Sequence, residues 1–474
     1  MSRMSSSEPS QTSGVVLTRG AGGELELFWA RRPHDAGFMG GFFSYFVGRV
    51  EREDHSTPLD VDEGELAVAR EFYAAATREL FEESGLNFEA SRLAHLGGWR
   101  TPSWLDEDFY TEFFWLHLSD EECERLGVDE LHKKVDRDEI AFSEWIRPED
   151  ALERWSTGRA PMTPPLVAVL DIFAHTPLDE VAGELDRRRD AHRRDAPMEI
   201  VGGLSVLPLE TATIPPATHT NCYFVGDERF VVIDPGSADD AELELLFGAI
   251  DGFLEQGRGL AAVVLTHHHR DHVSGVSALV ERYDAEVWAH HELVARLKDL
   301  PVDRELEDGE AIELGPDTLT CLHTPGHAPD HLCLFHERTK SVIAGDLVAS
   351  KGTIVINPPE GHVGQYMESL RRIRELGPRT IFPAHGWAIT DPRGRLDFYI
   401  SHRMKRERGI LEALRRASTS VTPIDLVPEV YDDVPAHVWP LAARSLLAHL
   451  VHLVEEDFAE TDGQKFWATE NLGG

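Results

Sequence analysis

Four short apolar runs punctuate the middle of the chain, and each is cut off by turn-forming residues. Phe230-Val231-Val232-Ile233 gives way to Asp234-Pro235-Gly236, and Ala262-Val263-Val264-Leu265 gives way to a run of histidines. Val342-Ile343-Ala344 runs into Gly345-Asp346, and Thr380-Ile381-Phe382 into Pro383-Ala384-His385-Gly386. Runs of this length, rich in β-branched residues and bounded by Gly and Pro, predict short buried strands. Helical stretches alternate with them, which predicts an α/β architecture. Polar residues collect just past each strand end, where such folds assemble sites from loops on a rigid sheet. The period changes toward the C-terminus. Ile410, Leu411 and Leu414, then Leu446, Leu447, Leu450, Leu453 and Val454, recur at helical spacing and predict helices over 402–416 and 442–454. A further helix is predicted over 67–84, closed by Gly85 as its C-cap.

These patterns divide the chain. Residues 1–13 are polar and Ser-rich and are expected to be a disordered tail. Residues 14–177 form a first domain. Residues 178–198, with Asp186-Arg187-Arg188-Arg189-Asp190, read as a charged, solvated helical linker. Residues 199–395 form a second domain, and 396–474 a small helical one. The 474 residues carry 84 acidic and 46 basic side chains, a net charge of −38. That excess disfavours non-specific binding to nucleic acid or anionic membranes. The four cysteines form no CxxC pair. With no apolar leader or 18-residue apolar window, they predict a cytoplasmic protein with no membrane partner.

The histidine run changes the picture most. In Thr266-His267-His268-His269-Arg270-Asp271-His272, four ligand-type residues fall within six positions after a strand: His267, His269, Asp271 and His272. Imidazole suits Zn²⁺, Fe and Mn²⁺, and a carboxylate adds the negative charge that lets two cations sit together. His327 in Thr324-Pro325-Gly326-His327, Asp346 in Ala344-Gly345-Asp346, and His385 in Pro383-Ala384-His385-Gly386 repeat the pattern, each beside a glycine. His290, His291, His336, His437, His449 and His452 are read as structural.

On these motifs, the region from about residue 203 to 395 resembles the metallo-β-lactamase superfamily, an αββα sandwich. The resemblance implies a first metal on His267, His269 and His327, and a second on Asp271, His272 and His385, with Asp346 bridging. The implied cofactors are two Zn²⁺, or Mn²⁺ or Fe. The implied chemistry is hydrolysis by a metal-bridging water, with Asp271 orienting that water as a catalytic residue. Thr220-Asn221-Cys222-Tyr223-Phe224-Val225-Gly226 and Tyr366-Met367-Glu368-Ser369-Leu370 are similar to the beta-lactamase-like protein 2 group, which implies a C-terminal winged-helix-like domain.

The N-terminal domain holds a second candidate site. Glu79, Glu82 and Glu83 fall at i, i+3 and i+4, so their carboxylates share one helix face. Like charges so placed call for a cation, and oxygen ligands suit Mg²⁺ or Mn²⁺ bound to diphosphate. Arg78-Glu79-Leu80-Phe81-Glu82-Glu83-Ser84-Gly85-Leu86 resembles the second half of a Nudix box. Trp99, Thr101-Pro102, Phe109 to Phe114, Trp145 and Pro148 to Leu152 are similar to the coenzyme A diphosphatase branch. The resemblance implies a Nudix α/β/α fold with Glu82 and Glu83 as catalytic residues. Two departures stand out: Phe46-Val47-Gly48 replaces Pro-Gly-Gly, and Arg70 occupies the position of a glutamate eight residues before the box arginine.

Together these readings predict a binuclear metal-dependent hydrolase acting on a phosphodiester such as single-stranded RNA. The beta-lactamase-like protein 2 group includes single-strand-directed endoribonucleases, and Arg403, Lys405, Arg406, Arg408, Arg415 and Arg416 could line a backbone path. The Nudix domain would hydrolyse or bind a nucleoside diphosphate derivative. One alternative is an acyl-coenzyme A thioesterase with a coenzyme A-directed Nudix module. Another is a nucleotide-sensing regulator with an inactive Nudix domain.

Overall fold

The computed structural model describes residues 9–37, 39–105, 108–189, 195–294, 296–297 and 300–469. Two compact units emerge: Met1–Pro208 with Glu244–Gly257, and Leu209–Leu243 with Arg258–Gly474.

In the first unit, β1 (Ser10–Arg19), β2 (Glu26–Arg31), β3 (Phe43–Ser44), β4 (Phe46–Arg49), β5 (Ala94–Arg100), β6 (Phe109–Leu118) and β7 (Phe142–Ile146) form one mixed sheet. β1 runs parallel to β6 over ten residues and antiparallel to β2 and β4. Side chains alternate across β1, so Val15 and Leu17 enter one core with Phe72, Tyr73 and Leu80 of the helix Arg70–Ser84. Val16 enters another with Leu166, Val169 and Leu170 of the helix Pro164–His175. The sheet thus lies between helices.

Several expected boundaries shift. The expected tail 1–13 does not hold at its end, because Ser10 already pairs with Phe109 and Ser13 is buried with its hydroxyl donating to Phe72 O at 2.6 Å, while 1–8 lie outside the described residues. Polar composition misled here: Thr and Ser satisfy strand neighbours as readily as water. The helix begins at Arg70, not 67. The linker is not simply solvated. Val181 and Leu185 are buried in the sheet's second core, and Asp186 accepts Gly98 N–H at 3.0 Å, while 190–194 lie outside the described residues. β8 (Met198–Val201) and β9 (Leu204–Glu210) pair as a hairpin.

In the second unit, β10 (His219–Val225), β11 (Arg229–Ile233), β12 (Gly259–Val264), β13 (Val287–His290) and β14 (Arg304–Leu306) lie side by side in that order. β15 (Ala311–Glu313), β16 (Thr318–His323), β17 (Leu332–His336), β18 (Ser341–Ile343) and β19 (Thr380–Phe382) make a second sheet. All four apolar runs are strands, β11, β12, β18 and β19, paired β11 with β12 and β18 with β19, both parallel. The parallel register brings the ends of each pair together. Tyr223 of β10 meets Phe382 of β19 edge-on at 5.9 Å, and its hydroxyl donates to Pro383 O at 2.6 Å, tying the two sheets. The helices Val363–Leu376 and Pro392–Arg416 cover the second sheet through Tyr366, Leu370, Ile373, Leu396 and Tyr399.

The expected boundary at 395/396 falls inside a helix. Asp391 caps it by accepting Gly394 N–H at 3.0 Å, Pro392 opens it, and it continues for 25 residues. Sequence periodicity found only its second half. Beyond it lie helices Pro423–Val430 and Trp439–Glu455 and the hairpin β20 (Ala459–Thr461) and β21 (Phe466–Ala468). These pack around Leu426, Val427, Leu446, Leu450 and Phe466.

Candidate metal centre

The loop after β12 carries the histidine run, and a short helix, Arg270–Val273, turns Asp271 and His272 inward. Close backbone approach makes this possible. A Cβ on Gly236 would lie 1.9 Å from Asp271 O. Gly345, at φ +46, would press 2.7 Å from His331 Nε2 and 2.9 Å from Thr266 Oγ1.

The loop ends from both sheets converge. His269 Nδ1 lies 3.0 Å from His267 Nε2 and 2.9 Å from His327 Nε2. Asp346 Oδ2 is 3.3 Å from His327 Nε2, and its Oδ1 is 3.2 Å from His385 Nε2 and 3.8 Å from His272 Nε2. Asp271 Oδ2 is 3.7 Å from His385 Nε2. Two ligand groups result, His267–His269–His327–Asp346 and Asp271–His272–His385. All seven central residues named from sequence are therefore brought together.

Three of the remaining ring nitrogens are held. His327 Nδ1 donates to Val355 O at 2.9 Å, and His385 Nδ1 to His219 O at 2.8 Å. His272 Nδ1 donates to Asp234 Oδ2 at 2.8 Å. This is how metal-binding imidazoles are oriented, with one nitrogen tethered and the other aimed inward. Within the site, buried His272 Nε2 and Asp346 Oδ1 make no hydrogen bond. Orphaned buried atoms of this kind call for a partner. The imidazole nitrogens sit near the roughly 3.3 Å expected of two nitrogens about 2.05 Å from one tetrahedral cation. The donor set fits a pair of divalent cations.

Electrostatics agree. Burial, then neighbouring imidazoles, lowers the pKa of His269 to about 3, and burial is also the first cause lowering those of His267 and His327. For Asp346, burial opposes charge, but His385, His272 and His327 outweigh it and hold the carboxylate ionised. For His272, burial lowers the pKa, yet Asp234, Asp346 and Asp271 outweigh it and raise it to about 9. A cation bound at His272 Nε2 would take the place of that proton.

Three supporting residues escaped the sequence reading. Asp234, buried at φ +54, also accepts Thr266 N–H at 2.8 Å and Thr266 Oγ1–H at 2.6 Å. His331 Nε2 accepts the Asp346 N–H at 3.0 Å. Asp330 meets His268 Nδ1 at 2.7 Å. Both Asp330 and His331 belong to the stretch that begins at Gly326-His327, which is the signal that could have found them. Of the histidines read as structural, His336 pairs with buried Asp317 at 2.7 Å and His449 with Glu407 at 3.3 Å. His290 and His291 join Glu307 in a further, largely exposed ligand-type group.

Comparison with known proteins follows this geometry. A family profile described as "Metallo-beta-lactamase superfamily" matches residues 215–385. The "Beta-lactamase-like protein 2 homolog" of Drosophila melanogaster is 31% identical over 249 residues, spanning 50% of this chain and 82% of that protein. The chain belongs to the metallo-β-lactamase superfamily. Proteins of this superfamily fold are metal-dependent hydrolases, and this chain is one. A "Beta-lactamase associated winged helix domain" profile matches residues 422–467, which cover the two C-terminal helices and the β20–β21 wing. The "Atrochrysone carboxyl ACP thioesterase" of Aspergillus chevalieri is 31% identical over 262 residues, 52% of this chain and 80% of that protein. A beta-lactamase domain protein from Burkholderia ambifaria superposes with a TM-score of 0.50 at 20% identity, covering 57% of this chain and 93% of its own. Among the described residues no helix is long and apolar enough to cross a membrane.

In the first unit, Glu79, Glu82 and Glu83 do share one region of the helix Arg70–Ser84. Gly85 closes it at φ +72, donating to Phe81 O at 2.7 Å. A Cβ on Gly48 would overlap the Glu79 carboxylate, so a larger residue there would have to displace that side chain. Arg78 bonds Glu79 at 2.7 Å, Glu82 at 3.0 Å and buried Asp54 at 3.0 Å. Arg70 reaches Glu63 at 3.1 Å and the Thr57 carbonyl, whereas Asp54, six residues after Gly48, is the acid that meets Arg78. Burial, then Glu139 and Glu79, pushes the Glu83 carboxyl up to about 9. Glu83, Glu139 and Arg32 line a cavity of about 370 Å³ with Tyr45 and Val47.

The basic C-terminal helix is not an open path. Arg403 is 3% exposed, Arg406 pairs with Asp433 at 2.7 Å, and Arg416 pairs with Glu429. Lys405, Arg408 and Arg415 are exposed.

Proposed function

We propose that the chain is a binuclear hydrolase of acyl thioesters carried on a phosphopantetheine-type group. His267, His269 and His327 would hold one cation, and Asp271, His272 and His385 the other, with Asp346 between them. Bound cations would supply a nucleophilic water and stabilise charge on the substrate oxygen. Asp346 contributes an ionised carboxylate, and Asp271 lies beside His385 as the group best placed to accept a proton. The burial of Arg403 and the pairing of Arg406 with Asp433 carry the choice of substrate. They remove part of the cationic surface that a nucleic-acid backbone would need, on a chain of net charge −38. The thioesterase relative supports the same choice.

The N-terminal unit is read as a Nudix-type module for a diphosphate such as that of coenzyme A, with Mg²⁺ or Mn²⁺ on Glu79, Glu82 and Glu83. Its support is the Gly48–Glu79 contact and the Asp54–Arg78–Glu79–Glu82 network. A second reading for the central site, cleavage of single-stranded RNA, is favoured by exposed Lys405, Arg408 and Arg415. Acyl-coenzyme A, acyl carrier protein thioester and single-stranded RNA should be offered to wild type, Asp271→Ala, Asp346→Ala and Lys405→Glu/Arg408→Glu with defined metals. The thioesterase reading expects thioester turnover lost in both aspartate variants and unchanged in the charge reversal. Turnover of RNA alone, reduced by the reversal, would replace it.

A further inference from the structure

Arg395, Tyr399 and Arg403 are spaced by four in the helix Pro392–Arg416, so they share one face. All three end on the loop 347–355, which starts immediately after Asp346. Arg395 Nε donates to Ala349 O at 2.8 Å and its Nη2 to Gly352 O at 2.7 Å. Ala349 N–H donates to Tyr399 Oη at 2.9 Å, and Arg403 Nη2 donates to Ile354 O. The other side of the loop touches ligand-type residues. Val355 O receives His327 Nδ1–H at 2.9 Å, and Ser350 N–H donates to His385 O at 3.3 Å. The guanidinium of Arg403 stacks 5.3 Å over the ring of Tyr366, whose hydroxyl donates to Leu347 O at 2.7 Å. Gly326, beside His327, packs on the Tyr366 backbone. Arg403 is 3% exposed, and among the described residues no carboxylate pairs with it. A buried cation held by a carbonyl and a ring is costly to keep. An apolar side chain would fill the space at less cost, but it could not hold the Ile354 carbonyl next to Val355.

We propose that this helix face clamps the loop 347–355 from the side of the winged-helix domain, and that Arg403 is a positioning residue that fixes the His327 imidazole for a cation. The proposal rests on reading His327 as a metal ligand. Arg403 holds the Ile354 carbonyl. The next carbonyl, Val355 O, holds His327 Nδ1–H and so sets both the tautomer and the angle of the ring. Loss of an outer-shell partner of this kind costs on the order of 10-fold to 100-fold in metal affinity. One bond further out, about 10-fold is expected for Arg403→Met.

The test uses the full chain stripped of metal. Co²⁺ is titrated against a chromophoric chelator while the visible absorption of the bound ion is recorded, alongside kcat and KM. Arg403→Met should bind Co²⁺ about 10-fold more weakly and shift the absorption bands. Arg403→Lys, which keeps a donor toward Ile354 O, should restore most of both. Arg406→Met, on the same helix but paired with Asp433 and Val430 O, should change neither. Wild type that binds no Co²⁺ would overturn the metal-centre reading itself. Wild type that binds it, with a folded Arg403→Met of equal affinity and identical spectrum, would overturn the clamp alone. Should Arg403→Met not fold, Tyr399→Phe removes only the acceptor for Ala349 N–H. An unchanged affinity and spectrum there would overturn the clamp equally.

Discussion

Asp234→Asn is the sharpest single change available in the second unit. The carboxylate accepts three hydrogen bonds: Thr266 N–H on Oδ1, and Thr266 Oγ1–H and His272 Nδ1–H on Oδ2. Asparagine keeps the shape and tolerates the φ of +54, so the backbone should survive. The amide has only one acceptor edge. If its oxygen replaces Oδ2, its NH₂ faces the Thr266 N–H, and two buried donors confront each other at a cost of about 1–3 kcal/mol. If its nitrogen replaces Oδ2, it donates to His272 Nδ1. The His272 proton must then sit on Nε2, the atom aimed at the cation. Either arrangement also exchanges a charge-assisted bond worth about 1.5–3 kcal/mol for a neutral one. The expected result is a folded protein, a few degrees less stable, whose second cation binds about 10-fold to 100-fold more weakly while the first is little affected. Proton release supplies an independent readout. Wild-type His272, raised to about 9, must give up a proton when the cation arrives. Without the Asp234 charge that pKa falls, so fewer protons should be released near pH 7.5. Calorimetric titration in two buffers of different ionisation enthalpy measures both quantities. Two cations bound at wild-type affinity, with undiminished proton release, would refute the assignment of Asp234 as the group that orients His272.

Other tests reach the rest of the chain. Glu83, raised to about 9, lends stability that is complete below its ordinary 4.5 and is lost as pH rises through 9. In chelator, Glu83→Gln should therefore melt with wild type at pH 4 and above it at pH 8. Mg²⁺ should raise the wild-type melt at pH 8 more than the variant's, and identical melts at every pH would show that the carboxyl is not so placed. Gly326→Ala puts a Cβ 2.3–2.4 Å from the Tyr366 backbone at φ +128. It should cost on the order of 2–4 kcal/mol from strain and overpacking, read as a lower denaturant midpoint. A neutral result there would mean that the close approach beside His327 is not required.

What could be read from sequence, and what could not, follows from how far each interaction reaches along the chain. Strand ends and ligands are local signals: a β-branched run, a turn, a histidine. All seven central ligand-type residues and all four strands were legible for that reason. Supports that act across the fold were not. Nothing near Asp234 says that its partner is 38 residues on. Nothing in Asp54 says that its partner Arg78 lies 24 residues on. The basic helix shows the cost most clearly. Its charges look alike in sequence and predict a common surface. In the structure Arg403 is buried on the loop 347–355 and Arg406 is tied to Asp433 and Val430, while Lys405, Arg408 and Arg415 face water and Arg416 meets Glu429 at the surface. Charge along one helix is therefore a poor guide to a ligand until each side chain's partner is known. Partners decide whether a cation is available to a phosphate or already committed to the fold. Here the division falls by helical face: residues spaced by four from Arg395 turn inward to the loop beside Asp346. The same helix whose charges could, from sequence, line a backbone path instead holds the loop that follows Asp346.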